Sequence, residues 1–219
     1  MKIACIPDVH GSHWWQNIIP RKDDFDKIIF LGDLVDCWEP EYPDHLINIC
    51  KIFDFKKENS EKVEILLGNH STSYILNEQC SGYQYHHSFD IKEVYNKHKE
   101  LYNIIYIYKN YIFSHAGVSE LWMRNCKIKS PEEINQLFKE KPNFFRWVGP
   151  NYYGDSPHEG PLWIRPNSLI KSAVKSYTQI CGHSEFDEIE WPIKFKNINE
   201  DDLIFIDTPK HNHIYEIEI

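Results

Sequence analysis

Short strand-like runs of apolar residues occur along the chain, and stretches with apolar residues at helical spacing separate them. The central run, residues 28–31, is apolar at all four positions, which is typical of a strand buried on both faces. Other strand-like runs, with polar residues at some positions, occupy residues 2–6, 63–67, 111–113 and 177–181. Between two of them, residues 44–57 place Leu46, Ile49 and Phe53 on one face of a predicted helix. Buried strands that alternate with amphipathic helices indicate an α/β fold.

Local signals predict where two of the helices begin and end. Ser12 is a suitable N-cap for a short helix, and Pro20 is expected to end that helix. Asp90 and Glu93 have the spacing of a capping pair, which predicts that a second helix begins at Asp90.

The second half of the chain carries similar signals. Ser130 followed by proline and glutamate is a strong helix start, and the helix is expected to continue to Trp147. Residues 203–207 and 213–219 are expected to be the closing strands of a second sheet. The chain shows no internal repeat or linker, so a single domain over residues 1–219 is expected.

Polar residues follow the predicted strands where packing does not require them. Asp33 and Asp36 come after the central strand, directly beyond Gly32, where the chain turns easily. Taken alone, this pair fits an Asp-capped turn into a helix as well as it fits a ligand site. Chemically similar groups follow the other four strands, and this repetition favours the ligand site. If the strands lie side by side, their carboxyl ends bring together Asp8, His10, Asp33, Asn69, His115 and His183.

These six side chains are suited to metal binding. Carboxylate, imidazole and amide oxygen are ligands for divalent first-row metals such as Mn, Fe and Zn. One ion in an open catalytic site needs fewer than six protein ligands. The sequence therefore predicts two ions.

The order of the motifs resembles that of a known family, the calcineurin-like metallophosphoesterases. The resemblance covers residues 3 to about 208 and rests on Asp8-x-His10-Gly11, Gly32-Asp33-x-x-Asp36, Gly68-Asn69-His70, His115-Ala116-Gly117 and Gly182-His183. Residues 32–36 and 162–165 look most like the bacterial and phage protein-phosphatase branch, which also includes symmetrical dinucleoside tetraphosphatases. The resemblance implies a four-layer αββα sandwich, with a dinuclear metal site at the strand carboxyl ends.

The resemblance also implies a role for each metal ligand. Asp8 and His10 would hold the first ion, and Asp33 would bridge to the second. The remaining ligands of the second ion would be Asn69, His115 and His183. Mn²⁺ is the expected metal, with Fe, Zn, Ni or Co as alternatives. The two ions would share a water that attacks phosphorus in line, without a covalent enzyme intermediate.

Three further residues would act on the substrate. By resemblance, Asp36 holds His70 protonated, and His70 serves as general acid or as a donor to the transition state. Arg165 matches the branch's phosphate-binding arginine, and guanidinium is a bidentate donor that keeps its charge. Asn69 and His70 are expected to contact the substrate as well.

Three positions depart from the family pattern. Glu185 stands where many relatives outside this branch carry a histidine, so water is expected to complete the shell of the first metal. Cys37 replaces the branch's usual arginine, and Ser71 replaces its usual acid. These departures leave the substrate range open.

The leading hypothesis is a metal-dependent phosphomonoesterase with protein-phosphatase character. An alternative is a pyrophosphohydrolase for dinucleoside polyphosphates or similar nucleotides, because Trp38, Tyr42 and residues 83–85 offer rings that can stack on bases. A metal-binding scaffold without turnover is a third interpretation, and the intact set of motif residues argues against it. The expected partners are phosphorylated small molecules, nucleotides or phosphoproteins.

Composition limits the remaining classes. A net charge of −9 without a basic stripe argues against a nucleic-acid or anionic-membrane surface. No apolar run approaches the length of a membrane span. Six scattered cysteines without a Cys-x-x-Cys pair are typical of reduced thiols, mostly core filler, in a cytoplasmic protein. A cleaved signal peptide is not expected, because its removal would take the first ligand motif with it.

Overall fold

A computed structural model describes residues 1–36, 43–147, 154–186, 191–207 and 213–219. The chain forms two compact units, one from Met1–Asn103 and His211–Ile219 and one from Ile104–Lys210. Each unit contains a five-stranded mixed sheet with helices, so the predicted α/β class is confirmed. The assignment of residues 1–219 to a single domain stays a prediction.

The first unit is built on a mostly parallel sheet. Its strands are β1 (Lys2–Ile6), β2 (Lys27–Phe30), β3 (Val63–Leu66), β4 (Tyr102–Asn103) and β10 (Tyr215–Glu218). They lie in the order β10-β1-β2-β3-β4, with β1 to β4 parallel and β10 antiparallel to β1. The three strands predicted for this half, including the central one, are confirmed to within a residue at their ends.

The helices of the first unit are α1 (Asp44–Glu58), α2 (Asn69–Leu76) and α3 (Ser88–Lys97), together with 3-10 helices at Trp14–Asp24 and Tyr85–His87. The prediction for α1 is confirmed, and its inner face buries Ile49, Ile52 and Phe53. Burial of such side chains holds the helix in place more firmly than its intrinsic propensity does.

The second unit is also a mixed sheet. Its strands are β5 (Ile105–Tyr108), β6 (Tyr111–Ser114), β7 (Thr178–Cys181), β8 (Ile193–Lys196) and β9 (Asp202–Phe205), in the order β5-β6-β7-β9-β8. The parallel strands β6, β7 and β9 lie at the centre, and β5 and β8 are antiparallel edges. Its helices are α4 (Glu120–Cys126), α5 (Ile134–Glu140) and α6 (Pro166–Ser172), with 3-10 helices at Pro131–Glu133 and Pro142–Phe145.

The prediction that residues 213–219 close the second sheet is wrong. These residues form β10, which pairs with β1 of the first sheet in the register Lys2 to Glu218. Residues along β10 alternate between half-buried and exposed, as expected of an antiparallel edge strand with one solvated face. Residues 203–207, by contrast, supply β9 of the second sheet as predicted.

Three predicted helix boundaries also need correction. The helix expected to end at Pro20 begins at Trp14 and continues to Asp24 as a 3-10 helix, because the fixed φ of proline is compatible with helical backbone. The helix expected at Asp90 begins at Ser88, which leaves Asp90 in its first turn, where a negative charge still suits the helix dipole.

The helix predicted from Ser130 to Trp147 is interrupted. Its start is correct, since Glu133 Oε1 accepts the Ser130 N–H at 3.0 Å. The α-helix ends at Glu140, and a separate 3-10 turn starts at Pro142. The cause is local, because proline disfavours helical backbone in the residue before it, here Lys141. No helix among the described residues is long and apolar enough to cross a membrane.

Candidate active site

Several of the motif residues lie in strained loops at the strand ends. His10, Asp33, Asp36 and His183 have φ angles of 45°, 40°, 68° and 62°, in the left-handed region that favours glycine. Each such conformation costs free energy, and strain of this kind concentrates at functional sites. The backbone conformation at these four residues is therefore less favourable than an ordinary one, and the rest of the fold stabilises it.

Backbone hydrogen bonds join the loops after β1 and β2. The N–H groups of Val9 and His10 both donate to the Asp33 carbonyl, at 3.1 and 2.7 Å. His10 Nδ1 lies 3.1 Å from the Asp36 carbonyl, and His10 Nε2 lies 3.8 Å from Asp8 Oδ2. A backbone partner for Nδ1 orients the ring, and Nε2 then lies on the side of Asp8, the other predicted ligand of the first ion.

Asp33 connects the central strand to the start of α2. Its side chain is almost fully buried, and Oδ1 accepts the His70 N–H at 2.9 Å. A Cβ atom on Gly68 would lie only 2.0 Å from the same Oδ1, so this approach requires glycine. Asn69, the first residue of α2, is buried next to this contact.

His70 and Asp36 form a buried pair. His70 Nδ1 lies 3.1 Å from Asp36 Oδ2, and Asp36 is fully buried. Burial disfavours the charged imidazolium, but the nearby carboxylates outweigh this effect and raise the pKa of His70 to about 11. A cation bound at Asp33 would offset part of that increase, whereas the hydrogen bond to Asp36 would remain.

Two further residues, which the sequence did not single out, contact this pair. The Tyr74 hydroxyl donates to Asp36 Oδ1 and accepts the Gln84 N–H at 3.0 Å. Cys80 Sγ lies 3.3 Å from His70 Nδ1 and 3.5 Å from Asp36 Oδ2. Tyr74 follows His70 by four positions on α2, a spacing that puts both on one helix face and could have identified it.

Ser71 occupies a position that is unfavourable for a carboxylate. Its side chain is fully buried, and its Oγ accepts the Tyr95 hydroxyl at 2.8 Å. A carboxylate at this position would be buried beside an apolar core, which is costly without a cationic partner. Cys37, Trp38 and Tyr42 lie outside the described residues.

The second unit contains two of the predicted ligands, both histidines. His115 follows β6 and His183 follows β7, and both are buried. The Gly182 N–H donates to the His115 carbonyl at 2.9 Å, and the centroids of the two imidazole rings are 4.7 Å apart. The parallel pairing of β6 with β7 thus brings together the two histidines expected at one metal.

Arg165 lies beside His183. It precedes α6, and its Nη1 donates to the His183 carbonyl at 3.0 Å and to Ser184 Oγ at 3.2 Å. Arg165 is half-buried, and its guanidinium is held next to a predicted ligand. Glu185, two residues beyond His183, is exposed.

The donor groups fit divalent metals. Ligand atoms of His10, Asp33 and His70 in the first unit all lie within 4.8 Å of one another. This group includes His70, which the sequence interpretation placed outside the ligand set. Imidazole and carboxylate are donors that first-row divalent metals accept.

Comparisons with known proteins agree with this chemistry. The sequence profile of the calcineurin-like phosphoesterases matches residues 1–205. A cold-active protein-tyrosine phosphatase of a psychrophilic Shewanella species is 14% identical with a TM-score of 0.58, over 95% of this chain and 71% of that one. A Saccharomyces cerevisiae serine/threonine phosphatase similar to human PP5 is 14% identical with a TM-score of 0.55, over 94% of this chain and 67% of its own. At such identities the two structures show a shared fold, and none of the curated proteins matches the sequence. The chain belongs to the calcineurin-like phosphoesterases and is a metal-dependent hydrolase of phosphoester bonds.

Proposed function

We propose that the protein is a phosphomonoesterase of protein-phosphatase type. The observation that carries this proposal is the buried hydrogen bond between His70 Nδ1 and Asp36 Oδ2. An alkoxide leaving group, such as the side chain of a phosphorylated serine, needs a proton as it departs. A histidine whose charge a buried carboxylate stabilises is suited to provide it.

Six side chains would hold two divalent ions, and Mn²⁺ is the expected metal for both. Asp8 and His10 are assigned to one ion and Asn69, His115 and His183 to the other, with Asp33 shared. When bound, such ions supply Lewis-acid stabilisation of phosphate charge and activate water for attack on phosphorus.

The remaining residues act on the substrate directly. His70 would donate its proton to the leaving oxygen, and Asp36 would hold the imidazole in the required orientation. Arg165, which lies beside His183, would bind a phosphate oxygen through its guanidinium group. Asn69 would contact the substrate from the start of α2.

The nucleotide pyrophosphohydrolase hypothesis has weaker support. Of the aromatic residues that motivate it, Tyr83 stacks on Tyr74 with ring centroids 4.5 Å apart. That face of Tyr83 is occupied by protein, while Tyr85 is exposed. The stacking on Tyr74 favours a role for Tyr83 in supporting the Asp36 pair.

A comparison of two substrates tests the proposal. The Mn²⁺-loaded protein should release phosphate from a phosphoserine peptide and leave a dinucleoside tetraphosphate intact. Asp33→Asn serves as the control for contaminating phosphatases, since it should hydrolyse neither substrate. Cleavage of the tetraphosphate without release of phosphate from the peptide would contradict the proposal and support the alternative.

A further inference from the structure

Three donor atoms of different chemistry, one of them the Nδ1 atom of His70, lie close together. Cys80 Sγ lies 3.3 Å from His70 Nδ1 and 3.5 Å from Asp36 Oδ2. His70 Nδ1 and Asp36 Oδ2 are 3.1 Å apart. The three atoms are a sulfur, an imidazole nitrogen and a carboxylate oxygen, and together they form one of the clusters able to hold a metal. None of the three atoms belongs to the six-residue ligand set assigned to the catalytic metals.

The spacing of these atoms matches one face of a zinc tetrahedron. With zinc-to-ligand distances of about 2.0–2.3 Å, tetrahedral geometry separates neighbouring ligand atoms by roughly 3.3–3.6 Å. The observed separations need shifts of only a few tenths of an ångström. We propose that Cys80, His70 and Asp36 form a separate, inhibitory zinc site, with water as the fourth ligand.

The surroundings are those of a zinc site. The Tyr74 hydroxyl holds Asp36 Oδ1, which orients the carboxylate and leaves Oδ2 for the ion, as outer hydrogen bonds do for metal ligands. Asp36 and His70 are buried, whereas Cys80 is half-exposed and gives the ion and its water a route from solvent.

The charges also balance. Zinc binding releases two protons, one from the Cys80 thiol and one from His70 Nδ1, and His70 keeps its other proton on Nε2. The ion, the thiolate and the Asp36 carboxylate then sum to zero, which lowers the cost of placing the ion in a buried position. A thiolate ligand favours Zn²⁺ over Mn²⁺ or Mg²⁺, so Mn²⁺ supplied for catalysis would leave this site free.

Zinc at this site would stop turnover. An ion on His70 Nδ1 replaces the hydrogen bond to Asp36 and holds the imidazole neutral, so His70 can no longer act as a charged donor. This consequence rests on the proposed function, whereas the binding of zinc does not.

Cobalt absorption tests binding without reference to activity. The Mn²⁺-loaded protein is titrated with Co²⁺, which takes the coordination of zinc and shows a sulfur-to-metal charge-transfer band when a thiolate is a ligand. The assigned catalytic ligands contain no sulfur, so the band reports the new site. We expect the band in the wild type and in Cys50→Ser, and its loss in Cys80→Ser. No band in the wild type, or a band that survives Cys80→Ser, would overturn the proposal.

Zinc inhibition tests the consequence. Relative to its own zinc-free activity, Cys80→Ser should raise the zinc concentration for half-inhibition by at least about 10-fold, the scale seen for smaller changes around metal ligands. Equal sensitivity of wild type and Cys80→Ser would show that zinc inhibits elsewhere and would contradict the inhibitory role. A positive cobalt result with an inactive protein would instead count against the proposed function alone.

Discussion

Gly68 approaches Asp33 so closely that a Cβ atom on residue 68 would lie 2.0 Å from the Asp33 carboxylate. The φ of Gly68 is −104°, an extended conformation open to any residue, so the requirement for glycine is steric. The contact lets the Asp33 carboxylate reach the first turn of α2, where it accepts the His70 N–H.

Gly68→Ala should therefore displace Asp33 and weaken metal binding. We expect a loss of about 1–3 kcal/mol in the free energy of unfolding, the usual cost of overpacking, together with a lower metal content and lower kcat. Gly160→Ala is the matched control, since its Cβ would lie 2.7 Å from Trp122 Nε1. Both variants should lose stability in urea, but a normal metal content in Gly68→Ala would contradict the role of this contact.

His70→Asn should lower kcat by about 10²–10⁴-fold on a phosphoserine peptide, the scale of general acid catalysis. The loss should be much smaller on p-nitrophenyl phosphate, whose leaving group needs no proton. Asp36→Asn should show the same dependence on the leaving group, because it acts through His70. The measurement is steady-state kinetics on a series of aryl and alkyl phosphates. A uniform loss across the series would indicate a role in binding instead.

Tyr74→Phe should destabilise the protein by about 1.5–3 kcal/mol, the range for a hydrogen bond to a charged group. The substitution leaves Asp36 Oδ1 without the Tyr74 donor in a buried position. Tyr177→Phe is the control, since its hydroxyl donates to Glu132 at the surface, and it should cost less than about 0.5 kcal/mol. Urea unfolding measures both, and equal effects would contradict the importance of the Tyr74 contact.

His98 should contribute a pH dependence that is separate from the active site. It stacks on Phe53 with ring centroids 4.5 Å apart, and burial lowers its pKa below the usual value of 6.5. The unfolded chain then binds this proton more readily than the folded one, so stability should fall as the pH drops below about 6.5. His98→Phe should reduce this slope, and the exposed His86→Gln should not. An unchanged slope in His98→Phe would show that other groups cause it.

The local features of the fold and the site follow from the sequence. The strand-like runs predict β1, β2, β3, β6 and β7, since a buried strand is mostly apolar whatever its neighbours are. The polar residues that end these strands are likewise visible in the sequence. The distribution of the strands over two sheets is not visible in the sequence, because strand pairing depends on contacts between distant segments. The same reason explains why β10 was assigned to the wrong sheet.

The contacts around Asp36 illustrate the same limit. Cys80 was interpreted as one of the scattered thiols, and its approach to His70 depends on the path of the chain between residues 76 and 85. The Tyr95–Ser71 hydrogen bond joins two helices and explains the absence of an acid at position 71 only once both are in place. Interactions of this kind arise from tertiary packing. They join residues at no regular spacing along the chain, so a single sequence does not reveal them.

Phosphate release before and after metal removal tests the central claim of metal-dependent phosphomonoester hydrolysis most directly. The protein is dialysed against a chelator, its metal content is checked by elemental analysis, and turnover of a phosphoserine peptide is followed as Mn²⁺ is restored. We expect no turnover without metal, recovery with Mn²⁺ in the wild type and in Asp54→Asn, a surface control, and no recovery in Asp33→Asn. Undiminished phosphate release from metal-free protein, or full recovery in Asp33→Asn with two ions bound, would contradict the claim.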